Sequence, residues 1–292
     1  MKIHRVLPVV LALALCASSH AQSIVSPNGS LSFINGDLFV ERMGDGSASL
    51  TSAATAIFFD EYSTNGTLIE SVALPTIGNN TSGNFAVTDS GSAASDGFLT
   101  LSSNSQYIAF TGYSANVGTS GVTGAARTSI QTVAGTLSFN GTLSVTNMGT
   151  TAYGANNIRS AFSNNSGTNV WTTGANSTTG EVWSTNGGSP TQLTSGATGG
   201  NKTVNGADGQ LYASNGVSIL SIGTGLPTSG VQVPTALFAN ISGANMTQFF
   251  FADLSVGIAG VDTLYMANNV GNTSAILKYS RVGGNWVATS SA

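Results

Sequence analysis

An all-β domain of short strands is the fold class this sequence predicts, and three observations predict it. Ser, Thr, Asn and Gly make up close to half of the 292 residues, with 37 glycines and only 7% charged side chains. That composition is poor in helix formers and rich in turn formers, and it argues against a coiled coil or a charged disordered chain. Apolar residues alternate with polar ones over short runs that end in Asn, Gly or Ser. No window of a dozen residues after the first few tens shows a 3.6-residue apolar period, so very little helix is expected.

The first segment sets the compartment. Lys2, His4 and Arg5 form a basic start, Val6 to Cys16 is an apolar run, and Ser19-His20-Ala21 places small residues three and one before Gln22. This is the pattern of a secretory signal peptide over residues 1–21, cleaved after Ala21, with a single mature domain over 22–292 that is secreted or periplasmic. The apolar run is shorter than the roughly 20 residues a spanning helix needs, and no later stretch approaches that length. Cys16 follows Leu15, where a lipoprotein signal takes Gly, Ala or Ser.

Loss of that segment restricts the chemistry. His4, His20 and Cys16 are the only histidines and the only cysteine. A mature chain without imidazole or thiol builds no Ser-His-Asp triad, no papain-type nucleophile, no zinc site with Cys or His ligands and no disulfide. Removing Lys2 and Arg5 from the 8 basic residues leaves 6 against 12 acidic ones, so the formal charge moves from −4 to −6. The remaining cations are scattered, so nucleic acid is not an expected partner.

Two hairpins stand out. Ala56 to Tyr62 and Leu68 to Leu74 flank Asn65-Gly66, and Leu137 to Val145 holds Asn140-Gly141 between two alternating halves. Asn-Gly accepts the positive φ of a hairpin loop. A longer repeat emerges when strand pieces are aligned. Gln210-Leu-Tyr-Ala-Ser214 resembles Thr263-Leu-Tyr-Met-Ala267, with weaker copies at Asp37 to Glu41, Gln106 to Phe110 and Asn169 to Thr173. Most have an earlier strand (Gly97 to Leu101, Ile158 to Phe162, Asn201 to Val204, Gln248 to Ala252), and several a later one (Gly180 to Ser184, Val217 to Ile222, Ala275 to Tyr279). Units of three or four strands at irregular spacing predict a β-propeller of about five four-stranded blades, or part of a larger ring. The alternative is a parallel β-helix, which the Asn, Gly and Thr content also permits.

Leu38 to Leu50, Phe58-Phe-Asp-Glu-Tyr62, Gly223-Thr-Gly-Leu-Pro-Thr228, Phe250 to Leu254 and Val261-Asp-Thr-Leu-Tyr265 are similar to segments of secreted bacterial propeller-like proteins of unassigned function. The likeness runs through most of the mature chain. Some of those proteins continue into a Pro-Glu-Pro sorting tail and an apolar anchor, whereas this sequence ends at Trp286 to Ala292. The resemblance implies a short member with ring closure left open, and it carries over no catalytic residue.

Motifs for known chemistry are weak. Gly118, Gly121 and Gly124 lack the spacing and the following helix of a dinucleotide fingerprint, and no Gly-x-Ser-x-Gly or Ser-x-x-Lys occurs. Sequons at Asn65, Asn140 and Asn240 are what this composition yields by chance. Asp60 and Glu61 are adjacent, hence on opposite faces of a strand, with one expected to meet Arg42 or Arg159 and the other solvent. Asp253 and Asp262 flank a loop that offers too few oxygens for an expected calcium site, so turn capping is the expectation there. Arg159 is expected in a buried ion pair. Trp171, Trp183, Tyr212, Phe249 to Phe251, Tyr265 and Trp286 fall at repeated strand positions and are expected in the core rather than on a sugar-binding platform.

No catalytic, cofactor or metal residue is therefore assigned. The sequence predicts a binding or structural module, with a glycan, a cell-surface component or a protein as the partner classes, no nucleic acid and no transmembrane segment. A hydrolase or lyase of glycans working with carboxylates is the alternative, and it requires two carboxyl groups together in one pocket.

Overall fold

The computed structural model describes residues 21–23, 32–78, 84–196 and 200–291. The proposed leader lies outside them except for Ala21. The fold is all-β, arranged in four antiparallel sheets, with one short 3-10 turn at Gly271–Thr273. Strands β1 (Ala21–Ser23), β2 (Leu38–Met43), β3 (Ala54–Tyr62), β4 (Leu68–Ala73), β5 (Thr88–Ser90), β6 (Thr100–Leu101), β7 (Tyr107–Tyr113), β8 (Thr132–Ser138) and β9 (Thr142–Asn147) form the first sheet. Its order is β1-β9-β8-β7-β5-β3-β2, with β4 added on β3 and β6 on β7. The next sheet is the meander β10 (Ile158–Ser163), β11 (Asn169–Gly174), β12 (Val182–Thr185) and β13 (Thr191–Gln192). The third is β14 (Val204–Ala207), β15 (Gln210–Ser214), β16 (Ile219–Ile222) and β17 (Pro234–Ala236); the fourth is β18 (Met246–Ala252), β19 (Thr263–Asn268), β20 (Ala275–Val282) and β21 (Asn285–Ser291). Antiparallel meanders are incompatible with the parallel β-helix, whose coils stack strands in parallel.

Within the first sheet β6, β7, β8 and β9 pair in chain order, so four successive meanders of four strands follow one another after the lobe β2-β3-β4. Four of the five aligned repeat segments become β7, β11, β15 and β19, each the second strand of its meander. Asp37 to Glu41 is the exception, because β2 is first in its lobe and lies at a sheet edge. An edge strand buries one face: Phe39 packs inward while Leu38 and Val40 stay exposed.

Turn chemistry follows the sequence with one refinement. The loops at Asn65-Gly66 and Asn140-Gly141 place only the glycine at positive φ, +83° and +82°, so they are longer loops ending in a left-handed residue rather than two-residue turns. Two-residue turns with both residues at positive φ are Asp208-Gly209 between β14 and β15, at 49° and 71°, and Gly283-Gly284 between β20 and β21, at 56° and 84°.

Each boundary between successive sheets holds its own core. Tyr113, Tyr153, Ile158 and Val170 fill the first, Phe162, Trp171, Leu193 and Leu211 the second, and Ile219, Phe249, Phe251 and Leu264 the third. Hydroxyl groups fasten the same boundaries. Thr100 Oγ1 donates to Ala161 O at 2.6 Å, Thr173 Oγ1 to Lys202 O at 3.1 Å, Ser214 Oγ to Met246 O at 2.6 Å, and Thr203 Oγ1 to Thr247 O. A Thr or Ser that bonds a carbonyl of the next sheet satisfies both buried groups at once. This is how so hydroxyl-rich a sequence bonds many of the hydroxyls it buries. The contacts run in chain order, and among the described residues no strand of the last sheet packs extensively on β2, β3 or β4.

Candidate functional site

A cavity of about 720 Å³ lies among the first strands of several sheets. Asp37, Leu38 and Phe39 line it at the start of β2, Leu99 to Ser103 around β6, Asn205 to Asp208 on β14 and its turn, and Gln248 to Phe251 on β18. Tyr265 of β19 and Ile276 of β20 complete one wall. Strand alternation on β18 explains the lining: Phe249 and Phe251 enter the core, so Phe250 points the other way and is 63% exposed. The positive φ of Asp208 turns its carboxylate back onto the Val261 N–H, which it accepts at 2.7 Å from the β18–β19 loop.

A second feature was not legible as a motif. Glu41 of β2, Asp89 of β5 and Asp96 in the loop before β6 gather beside Tyr113, with Arg159 near Asp96. Gly97, at φ +71°, permits this approach, since a Cβ there would stand 2.7 Å from Glu41 Oε1. Asp89 is 1% exposed, accepts the Ser90 N–H at 2.6 Å and lies within hydrogen-bond reach of Asp96. Asp96 Oδ2 also accepts from Asn157 Nδ2 at 3.3 Å. Desolvation, reinforced by the Asp96 charge, pushes Glu41 up to about 8. Burial also raises Asp89 well above the usual carboxylate range, with Asp96 and Glu41 adding to the effect, and it raises Asp96 as well. Two carboxyl groups that close titrate as a pair. None of the three lines the cavity.

Arg127 also packs on Tyr113, its guanidinium 5.2 Å from the centre of that ring. It is 2% exposed and donates to five backbone carbonyls, those of Tyr153, Val122, Ile130, Thr123 and Asn156, at 2.7 to 3.2 Å. Every donor of the fork is thereby used, and the two loops between β7 and β8 and between β9 and β10 are tied together. Sequence reasoning did not single it out.

The residues singled out from sequence separate into distinct environments. Asp60 pairs with Arg42 (Nε–Oδ2 2.6 Å, Nη2–Oδ1 3.2 Å) and accepts from Ser71; burial would raise its pKa, but these bonds hold it below the usual range. Glu61 does not face solvent as expected: it is 1% exposed, its Oε1 accepts the Ile34 N–H at 2.7 Å, and burial raises its pKa. It is buried because β2 and β4 flank β3, placing Phe39 and Glu70 directly across from it. Asp262 caps its own loop, accepting from Ser255 N at 2.6 Å, Leu254 N at 3.3 Å and Thr263 Oγ1 at 2.7 Å, while Asp253 is exposed. Arg159 is 7% exposed and donates Nη1 to Asn201 O at 3.1 Å. Trp171 is buried with Nε1 donating to Pro227 O at 2.6 Å, and Tyr212, Phe249, Phe251 and Trp286 join the last core. Phe250 departs from the core expectation.

Among the described residues no group of three or more His, Cys, Asp or Glu side chains has a metal-holding arrangement, and no helix is long and apolar enough to cross a membrane. No protein-family model matches the chain, and no curated protein matches it.

Proposed function

We propose that this chain is a secreted, β-propeller-like binding module of about five blades, directed through the membrane by residues 1–21, with its ligand taken up by the cavity among the innermost strands. Support for the ring comes from the chain-ordered packing of four-stranded meanders, whose first strands β6, β10, β14 and β18 lie side by side. A radial array of this kind offers a rigid frame around a central opening. The observation that carries the binding reading is the cavity of about 720 Å³, a size in the range of small-ligand sites, walled by apolar side chains with a few polar groups.

A carboxylate-dependent hydrolase has one observation in its favour, the Asp89–Asp96 pair. Neither carboxylate lines the cavity, Asp89 being buried on β5 and Asp96 half-buried in the loop before β6, whereas a general acid must touch the scissile bond. A structural role for the pair fits better. The test is thermal unfolding of the purified protein against a panel of glycans, calcium and small organic ions, with glycan turnover measured alongside. A ligand that binds only the folded state raises the midpoint. Turnover abolished by D89N would establish the hydrolase instead.

A further inference from the structure

The cavity carries a charge pattern that narrows its ligand. Among the described residues Asp37 and Asp208 are the only acidic side chains that line it, and no Lys or Arg does. Asp37 Oδ2 is buried and has no hydrogen-bond partner among the described residues, although an aspartate oxygen shielded from water ordinarily accepts at least one bond. Asp208 spends one oxygen on the Val261 N–H. The turn that presents it is fixed by two successive left-handed residues, so its carboxylate is held in place before any ligand arrives.

The rest of the wall is apolar for the most part, with hydroxyl and amide side chains such as Ser102, Asn205 and Gln248 among it, and several of its apolar side chains are exposed. Leu38 is 61% exposed, Phe250 63% and Ile276 48%, all on regular strands where such side chains ordinarily find cover. The same face of the last sheet already accommodates a cation. Phe250, Tyr265 and Lys278 are in register across β18, β19 and β20, and the Lys278 ammonium lies 5.9 Å from the Tyr265 ring centre, outside the cavity wall. An apolar enclosure that holds carboxylates and lacks any basic side chain favours a positive guest over a neutral or negative one, by direct pairing and by ring-face attraction.

We infer that the cavity is a binding site for a small organic cation with an apolar body, an aryl- or alkylammonium ion, paired by Asp37 and Asp208 and covered by Leu38, Phe250 and Ile276. This rests on reading the chain as a binding module and adds the class of ligand.

The test uses the purified protein and three probes of equal shape: 1-naphthylmethylammonium, 1-naphthylmethanol and 1-naphthoate, titrated by calorimetry at low and moderate salt. The ammonium ion is expected to bind about tenfold or more tightly than the alcohol, with the carboxylate weakest and the preference shrinking as salt rises. D37N/D208N is expected to bring the ammonium ion down to the affinity of the alcohol while leaving the unfolding midpoint in place. Phe250→Ser, at an exposed position, is expected to weaken ammonium ion and alcohol together. Equal affinity for ammonium ion and alcohol overturns the assignment, as does undiminished ammonium binding by D37N/D208N. No binding of any probe beside stabilisation by a glycan overturns the assignment alone and leaves the binding module standing. Turnover of a glycan overturns both.

Discussion

Stability of this protein is expected to fall as the pH rises from about 5 to about 8, and Glu41→Gln isolates one cause. The Glu41 carboxyl is pushed from 4.5 up to about 8 by desolvation and by the nearby Asp96. In the folded state it therefore keeps its proton through the neutral range, while in the unfolded chain it ionises near pH 4.5. Stabilisation by the retained proton is fully present below pH 4.5 and is lost progressively up to about pH 8. The slope approaches roughly 1.4 kcal/mol per pH unit, for a total of about 3–5 kcal/mol from this one group. Asp89 and Asp96, raised in the same direction, steepen the decline. Asp60 and Asp262, both lowered by their bonds, act with the opposite sign and destabilise only as the pH falls through the acid range. Maximum stability is thus expected in mildly acid solution. Urea unfolding followed by tryptophan fluorescence at pH 5, 6, 7 and 8 measures it, since Trp171 is buried. E41Q keeps the shape and removes the titration, so it is expected to flatten the profile and to exceed the wild type at pH 8. Parallel profiles for the two proteins, or a wild type most stable at pH 8, would refute the reasoning.

Other perturbations address the frame. Gly206→Ala puts a Cβ well inside contact with the Phe162 ring across the second boundary, an overpacking expected to cost about 1–3 kcal/mol; adding F162L should recover much of that in a double-mutant cycle by urea unfolding. Thr203→Val removes the hydroxyl that bonds Thr247 O and should cost about 1 kcal/mol, with a rise in amide exchange confined to the junction of β14 and β18. Arg127→Met orphans five carbonyls and is expected to be the most damaging single change, at about 3 kcal/mol or more in chemical denaturation, whereas surface cations such as Lys278 should be replaceable at little cost.

Much of the architecture was legible because it is local. The glycines of the Asn65-Gly66 and Asn140-Gly141 loops, the alternation on β8 and β9, and the Leu-Tyr pairs of β15 and β19 are consequences of a few adjacent residues, and they fall where the sequence puts them. The edge position of β2 was not local: Asp37-Leu-Phe-Val-Glu41 has the same pattern as a central strand, and only its neighbours reveal that one face stays open. Glu61 was misread for a related reason. A carboxylate on a strand is solvated by default, and the third strand that buries it, together with the Ile34 N–H that it accepts, comes from elsewhere in the chain.

The polar features depend still more on distant residues. Glu41, Asp89 and Asp96 are separated by loops of no motif, and what unites them is a glycine at 97 that lacks the Cβ to keep them apart. Arg127 belongs to no pattern at all, since its partners are carbonyls, which every sequence has. A chain with so few charges places several of them where water cannot reach, and each is then expensive unless it is neutralised or fully bonded. Burial raises Glu41, Asp89 and Asp96 toward their neutral forms, carbonyls saturate Arg127, and an arginine pairs with Asp60. The buried Oδ2 of Asp37 has none of these remedies among the described residues; the buried Oε1 of Glu70 is likewise without a bond, but of the two only Asp37 lines the cavity. A carboxylate oxygen that takes no bond from the chain, in a cavity lined by no Lys or Arg among the described residues, favours a guest that brings both a donor and a positive charge, which is why the ligand inferred for this cavity is positive rather than merely apolar.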